Sequence, residues 1–316
     1  MLRAMTVPCY GCDPVNPDRF ARHEDGRTVL RIPARFEGPP GNVNGGLAAG
    51  ALTCPALEAA QRDGVAHAVV TRVSARLHKG VPHSRDLAAS VAAAHAGSSR
   101  EESALFDVTL LNGGDSVISG AVDVRSLPGD APPGVAIAQA PDNVAAVLDE
   151  MAAVGAPESQ PFFEVTGDHP VIGCFSCGPR NARGLHVFPR FAAHGVTWAS
   201  WAPERDLADA HGGLAASIIA AALDCSSGVC MPQAEQEELL RNDQFYLLGS
   251  FDVRYLRTAP VDAVYHVVGR ARGRDGRKFH GVSALFDDHG TPYAFAEAVW
   301  IVVNARRSEV LGPPAR

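Results

Sequence analysis

The 316-residue sequence has no apolar run long enough to span a membrane. Its longest stretch of small and apolar residues, 211–230, is interrupted by Asp224, Ser226 and Ser227. The amino-terminal residues also lack the long apolar core of an export signal. We therefore expect a protein that stays in the cytoplasm and does not enter a membrane.

The sequence is also short of positive charge. Its 28 Lys and Arg residues are outnumbered by 35 Asp and Glu residues, which gives a net charge of −7 at pH 7. Nucleic acids and anionic membrane surfaces are bound through clustered positive charge, so we expect neither as a partner. Hydrophobic residues make up 46% of the chain, enough for the core of one large or two medium domains.

What the sequence does contain is an internal repeat. The pentapeptide SALFD stands at residues 103–107 and again at residues 283–287. The segment GGLAA stands at residues 45–49 and again at residues 212–216, and a CxxC pair precedes each copy. The matches keep the same order in both halves, which predicts two similar structural units.

The repeat predicts the organisation of the domains. The first unit is predicted at residues 1–128 and the second at residues 164–316. Residues 129–163 are rich in Pro and Ala and are predicted to be a linker with one short helix, at about residues 143–154.

Each unit is predicted to contain one central helix and several antiparallel strands. The helices are predicted at about residues 44–62 and 218–229. The predicted strands are residues 27–36, 66–78, 86–96, 103–111 and 116–126 in the first unit, and residues 184–191, 197–201, 247–257, 264–272, 281–287 and 293–303 in the second.

Two copies of this order of elements resemble the hotdog fold. The segment CFSCGPRNARGLHVF at residues 174–188 resembles the opening of many thioesterases of the phenylacetate-pathway hotdog type. The triplet HGG at residues 211–213 resembles that family's motif at the head of the central helix. The resemblance implies an α+β fold of two hotdog repeats, each an antiparallel sheet wrapped around a long central helix. It also implies an intramolecular pseudo-dimer, further assembly into a homodimer, and an acyl-CoA or acyl-carrier thioester as substrate.

The position of the acid departs from the family pattern. The family has an acid nine residues after the histidine of HGG, where this chain has Ala220, and Asp224 follows one helical turn later. One turn is about 6 Å along the same helix face. Either Asp224 acts from a shifted position, or the helix begins at residues 215–216 and HGG is a loop. In the first unit, the residue nine positions after Asn44 is Thr53, which is not an acid.

Thioester hydrolysis needs a polarised carbonyl group and a nucleophile or base. The first turn of a helix has backbone N–H groups without helix partners, and glycines there allow a carbonyl oxygen to approach. By the resemblance, Asp224 acts as base or nucleophile opposite the amides of Asn44, Gly45 and Gly46. The other pairing, residues 211–213 with Thr53, is expected to be weak or inactive.

Two other functions stay open. A hotdog dehydratase or hydratase would use His211 and Asp224 as its His and acid pair, and a non-catalytic protein would only bind acyl thioesters. Arg76 and Arg254 recur at equivalent strand positions. They are candidates for binding the phosphates of coenzyme A, although ion pairing within the protein is the alternative that we favour.

The seven cysteines include two CxxC pairs, at residues 9–12 and 174–177. Four thiolates could bind zinc. The pairs occupy equivalent places in two repeats, however, and pseudo-symmetry would hold them apart. We therefore expect no metal and no other cofactor, with reduced thiols and with Cys54 and Cys225 filling space along the central helices.

Overall fold

The computed structural model of the chain describes residues 9–13, 16–24, 27–96, 103–129, 134–158, 171–209 and 212–304. Twelve strands in these ranges form one antiparallel sheet. They are β1 (Ala21–Glu24), β2 (Arg27–Leu30), β3 (Ala68–Leu77), β4 (Leu87–Ala96), β5 (Ser103–Asn112), β6 (Asp115–Ser126), β7 (Arg190–Ala193), β8 (Val196–Trp201), β9 (Gln244–Tyr255), β10 (Tyr265–Asp275), β11 (Lys278–Asp287) and β12 (Pro292–Asn304).

The order of the strands is the same from either edge of the sheet towards its middle. It runs β1-β2-β4-β5-β6-β3 and continues β9-β12-β11-β10-β8-β7. The first six strands come from the first half of the chain and the last six from the second. The halves join where β3 pairs with β9, with Arg72 opposite Arg254, Ser74 opposite Asp252 and Arg76 opposite Ser250.

Helices cover both faces of this sheet. They are α1 (Gly45–Ala51), α2 (Thr53–Arg62), α3 (Asp142–Ala152), α4 (Ala216–Val229) and α5 (Gln233–Arg241), and short 3-10 helices lie at Ala34–Phe36 and Arg205–Leu207. No helix within the described ranges is both long and apolar enough to cross a membrane.

The second central helix, α4, lies where the sequence predicts it. All its residues after Ala216 are buried, because α4 packs against β10, β11 and β12 on one side and against α1 on another. A helix that is apolar all round is stable only when it is enclosed in this way.

The first central helix is shorter than predicted. The expected helix over residues 44–62 is interrupted at Leu52, which separates α1 from α2. Pro55 explains the break, because proline has no N–H group and its ring clashes with the carbonyl group four residues earlier, that of Ala51.

The short helix predicted at about residues 143–154 is confirmed as α3. Its residues Val144, Leu148 and Met151 pack in a separate apolar cluster with Phe286 and Phe295. Neighbouring residues of β11 belong instead to the main core, so α3 covers the face of the sheet opposite to α4.

Two predicted strands are wrong in their extent. The strand predicted at residues 184–191 begins only at Arg190, because the N–H groups of Leu185 and Val187 donate to Phe175 and Ser176, and His186 has φ +56°. The strand predicted at residues 27–36 ends at Leu30, before Pro33. The sequence analysis also missed α5 and β1.

The contact between α1 and α4 depends on glycine. A Cβ atom on Gly50 would lie 2.4 Å from Cα of Ser217, closer than packed atoms allow. We expect Gly50→Ala to lower the free energy of unfolding by about 1–3 kcal/mol, because the two helices must separate. Chemical denaturation measures this loss.

Gly155→Ala is the matched control, since a Cβ atom there meets nothing within 4 Å. Equal stability of the two variants would contradict the close helix contact.

Candidate active site

The head of α1 is a capped helix N-terminus. Asn44 is the N-cap residue, and its Oδ1 atom accepts a hydrogen bond of 2.9 Å from the N–H of Leu47. The N–H of Asn44 itself donates to the carbonyl oxygen of Phe36. The N–H groups of Gly45 and Gly46 have no partner within the helix and remain available to other acceptors.

Asp224 of α4 meets this helix head. Its Oδ2 atom accepts a hydrogen bond of 3.0 Å from the N–H of Gly46. Gly46 makes the approach possible, because a Cβ atom there would lie 2.3 Å from the carbonyl oxygen of Ala220 and 2.7 Å from Cβ of Asp224. The structure therefore brings together the acid of the second half and the glycines of the first.

The environment of Asp224 disfavours its charged form. The side chain is buried, and its Oδ1 atom has no hydrogen-bond partner among the described residues. Burial raises the pKa of Asp224 to about 7, although the N–H of Gly46 opposes the shift. Carboxyl groups with such shifted pKa values are common at functional sites.

A cavity of about 540 Å³ lies beside this pair, and Asn44, Gly45 and Asp224 line it. Its apolar wall includes Leu239, Leu248, Tyr246 and Trp300. Lys79 also lines it and has a 60% exposed side chain, so the cavity opens to the surface. The sequence analysis missed this wall, which α5, β9 and β12 build together.

The Gly-Gly pair of the second half is not at a helix head. Gly212 has φ +78° and donates its N–H to the carbonyl oxygen of Asp209, while Gly213 donates to the Asp209 carboxylate. The helix begins after Ala215. Of the two alternatives left open by the sequence, the later helix start therefore holds, and Gly212 and Gly213 belong to a loop before α4. His211 itself lies outside the described residues.

Counted from the observed start of α4, Asp224 is not displaced along the helix. Asp224 lies nine residues after the N-cap residue Ala215, as Thr53 lies nine residues after the N-cap residue Asn44. The two GGLAA segments are thus not structurally equivalent, although their letters match.

The second potential site lacks the corresponding groups. Thr53 is buried, and its hydroxyl donates to the carbonyl oxygen of Gly50 at 2.7 Å. The methyl side chain of Ala215 cannot accept a hydrogen bond, so the start of α4 has no side-chain cap. Thr53 therefore has no carboxylate to correspond to that of Asp224. Ala215 has no amide to correspond to that of Asn44.

Arg76 and Arg254 do not line the cavity. They lie on the sheet face opposite to the buried Val73 and Val253, at the junction of β3 and β9. The Nε atom of Arg254 is 4.0 Å from the carboxylate of Asp252. Asp252 already accepts hydrogen bonds from Arg72, and the Nε atom of Arg254 has no hydrogen-bond partner among the described residues. The role of Arg254 therefore stays a prediction.

The two CxxC pairs do not come together. Each pair instead meets the central helix of its own half, so the thiols form two separate groups. These groups are Cys9, Cys12 and Cys54, and Cys174, Cys177 and Cys225.

No protein-family model and no curated protein matches this chain. Solved structures with the same fold do. A candidate thioesterase from Novosphingobium aromaticivorans is 16% identical, covers 90% of this chain and 98% of its own, and gives a TM-score of 0.61. A hotdog-fold protein of unknown function from Alicyclobacillus acidocaldarius is 14% identical, with coverages of 90% and 96% and a TM-score of 0.57. An acyl-CoA thioesterase II from Mycobacterium marinum is 11% identical, with coverages of 90% and 96% and a TM-score of 0.55. The chain therefore has a hotdog fold.

Because Asp224 is buried, its charge should lower the folding stability of the chain. We expect Asp224→Asn to be at least as stable as the wild-type chain at pH 8, because an amide avoids burying a charge and its oxygen can still accept from Gly46. Denaturant midpoints measure this. If the variant instead lost more than about 1 kcal/mol of its free energy of unfolding, the carboxylate of Asp224 would have a structural role.

Asp18→Asn is the matched comparison. Asp18 is also buried, but its carboxylate pairs with Arg35 and Arg183, each at 2.7 Å. Removing a charge from such a buried group costs about 3–5 kcal/mol, so this variant should be clearly destabilised.

Proposed function

We propose that this protein hydrolyses acyl thioesters at the head of α1, with the carboxylate of Asp224 as the general base. One observation carries the proposal. The buried carboxylate of Asp224 accepts a hydrogen bond from an N-terminal amide of α1, on the wall of an apolar cavity, and its other oxygen has no partner among the described residues.

The helix head supplies electrostatic stabilisation. Asn44 and Gly45 both line the cavity. The N–H of Gly45 and the side-chain amide of Asn44, whose present partner is the Cys174 sulfur at a long 3.5 Å, can donate to a thioester carbonyl oxygen. Donors fixed in place before the reaction stabilise the negative charge that develops on this oxygen. The positive end of the helix dipole adds to their effect.

Asp224 supplies the proton transfer. With Oδ2 held by Gly46, the free Oδ1 accepts a proton from a water molecule whose oxygen attacks the carbonyl carbon. The carbon–sulfur bond then breaks, and the leaving thiolate takes up the proton. A direct attack by the carboxylate, with an anhydride intermediate, would use the same atoms.

The fold of the chain supports this assignment. We propose two hotdog repeats, at residues 1–128 and 164–316, that form an intramolecular pseudo-dimer and are joined by the linker at residues 129–163. The mirrored strand order supports this division. In such an arrangement the acid of one repeat faces the helix head of the other, and Thr53 leaves the chain with a single acid-bearing site.

The cavity and the comparisons support an acyl substrate. A pocket of about 540 Å³ with mostly apolar walls suits an acyl chain or an aromatic acyl group. An acyl-CoA thioesterase II is among the proteins with a similar fold. We propose acyl-CoA or an acyl-carrier protein as the thioester donor.

The test is thiol release from short, long and aromatic acyl-CoAs. We expect release by the wild-type chain and a loss of at least about 100-fold in kcat for Asp224→Asn, the usual contribution of a general base. Asp149→Asn, on the exposed side of α3, is the matched carboxylate control and should keep wild-type activity.

Equal release by wild type and Asp224→Asn would contradict the site. An absence of release with every substrate would contradict the function and favour the hydratase or acyl-binding alternatives, because neither of these frees the thiol.

A further inference from the structure

Three buried thiols meet beside the proposed site. Cys174 and Cys177 come from the loop before β7, and Cys225 comes from α4. Their Sγ atoms all lie within 4.8 Å of one another, and those of Cys174 and Cys225 are 3.6 Å apart. We name these three residues the C-terminal thiol cluster.

The loop that carries two of these thiols is tightly turned. The N–H of Gly178 donates to the carbonyl oxygen of Cys174 at 2.8 Å, and a Cβ atom on Gly178 would lie 2.2 Å from the Cys174 nitrogen. The turn therefore brings the Cys174 and Cys177 side chains to the same place, where both meet Cys225.

The same arrangement occurs twice in the chain, which argues against a chance contact. Cys9, Cys12 and Cys54 form an equivalent N-terminal group, with Sγ separations of 2.7 Å and 2.9 Å. The seventh cysteine, Cys230, belongs to neither group, and its Sγ donates to the carbonyl oxygen of Ser227.

We propose that Cys174, Cys177 and Cys225 bind a thiophilic metal ion, with Zn²⁺ as the probe. Zinc binds thiolates at about 2.3 Å in tetrahedral geometry, which places its sulfur ligands about 3.8 Å apart. The 3.6 Å between the Cys174 and Cys225 sulfur atoms fits this spacing, whereas the Cys9 sulfur is closer to those of Cys12 and Cys54 than zinc ligands are to each other. The inference goes beyond the proposed hydrolase and revises the expectation, drawn from the sequence, that the chain binds no metal.

The bound ion would join the loop to α4. All three thiols also line the cavity that contains Asp224, so the ion would fix part of the cavity wall. The three cysteines fill three of the four tetrahedral positions. A metal held in this way contributes its binding energy to folding, so a chelator should lower the melting temperature of the chain.

The test is the zinc content of the purified full-length chain after dialysis against metal-free buffer. We expect Cys177→Ser to retain one zinc ion fewer per chain than wild type, and Cys230→Ser to retain the wild-type amount. Reconstitution with Co²⁺ gives a second readout, because thiolate–cobalt charge-transfer absorption should be weaker in Cys177→Ser than in the other two proteins. Should Cys177→Ser not fold, Cys225→Ala serves for both measurements.

Wild-type protein without zinc and without the cobalt absorption would overturn the proposal, as would equal zinc in Cys177→Ser and wild type. A disulfide within the cluster, seen as a loss of two thiols in the denatured non-reduced chain, would also overturn it. None of these measurements depends on thioester hydrolysis, so the failure of one proposal is distinguishable from the failure of the other.

Discussion

The candidate site depends on one close contact, between Gly46 of α1 and Asp224 of α4. Two helices can approach this closely only where one of them has no side chain. The approach places a carboxylate at a helix N-terminus, where unpaired amides stabilise negative charge. It also buries that carboxylate, which by itself would be costly. The hydrogen bond from Gly46 offsets part of this cost and leaves one carboxylate oxygen free.

The two halves of the chain share their strand order but differ in chemistry at equivalent positions. Where the second half has Asp224, the first has Thr53, and where the first has Asn44 at a helix head, the second has Ala215. Both differences favour the site at the head of α1. They leave one helix head with a capping amide and an opposing acid, and the other with neither. The shared strand order thus frames one asymmetric candidate site.

Part of this arrangement could be predicted from the sequence. Repeated segments and alternating apolar residues predict most strands and the buried α4. The break before Pro55 is also encoded in the sequence, because proline cannot continue a helix. The sequence left two starts open for α4, because the letters of HGG suggest a helix head, whereas the turn at Gly212 places the head later. The meeting of Cys225 with the distant cysteine pair depends on tertiary packing, which spacing along the chain does not reveal.

The central claim is that a thioester carbonyl binds at the head of α1, opposite Asp224. A crystal structure of the Asp224→Asn chain with a bound acyl-CoA tests it most directly. The account predicts a carbonyl oxygen about 3 Å from the N–H of Gly45 or the side-chain amide of Asn44, with the acyl group in the apolar cavity. An acyl-CoA bound elsewhere, or a carbonyl group pointing away from α1, would contradict the account.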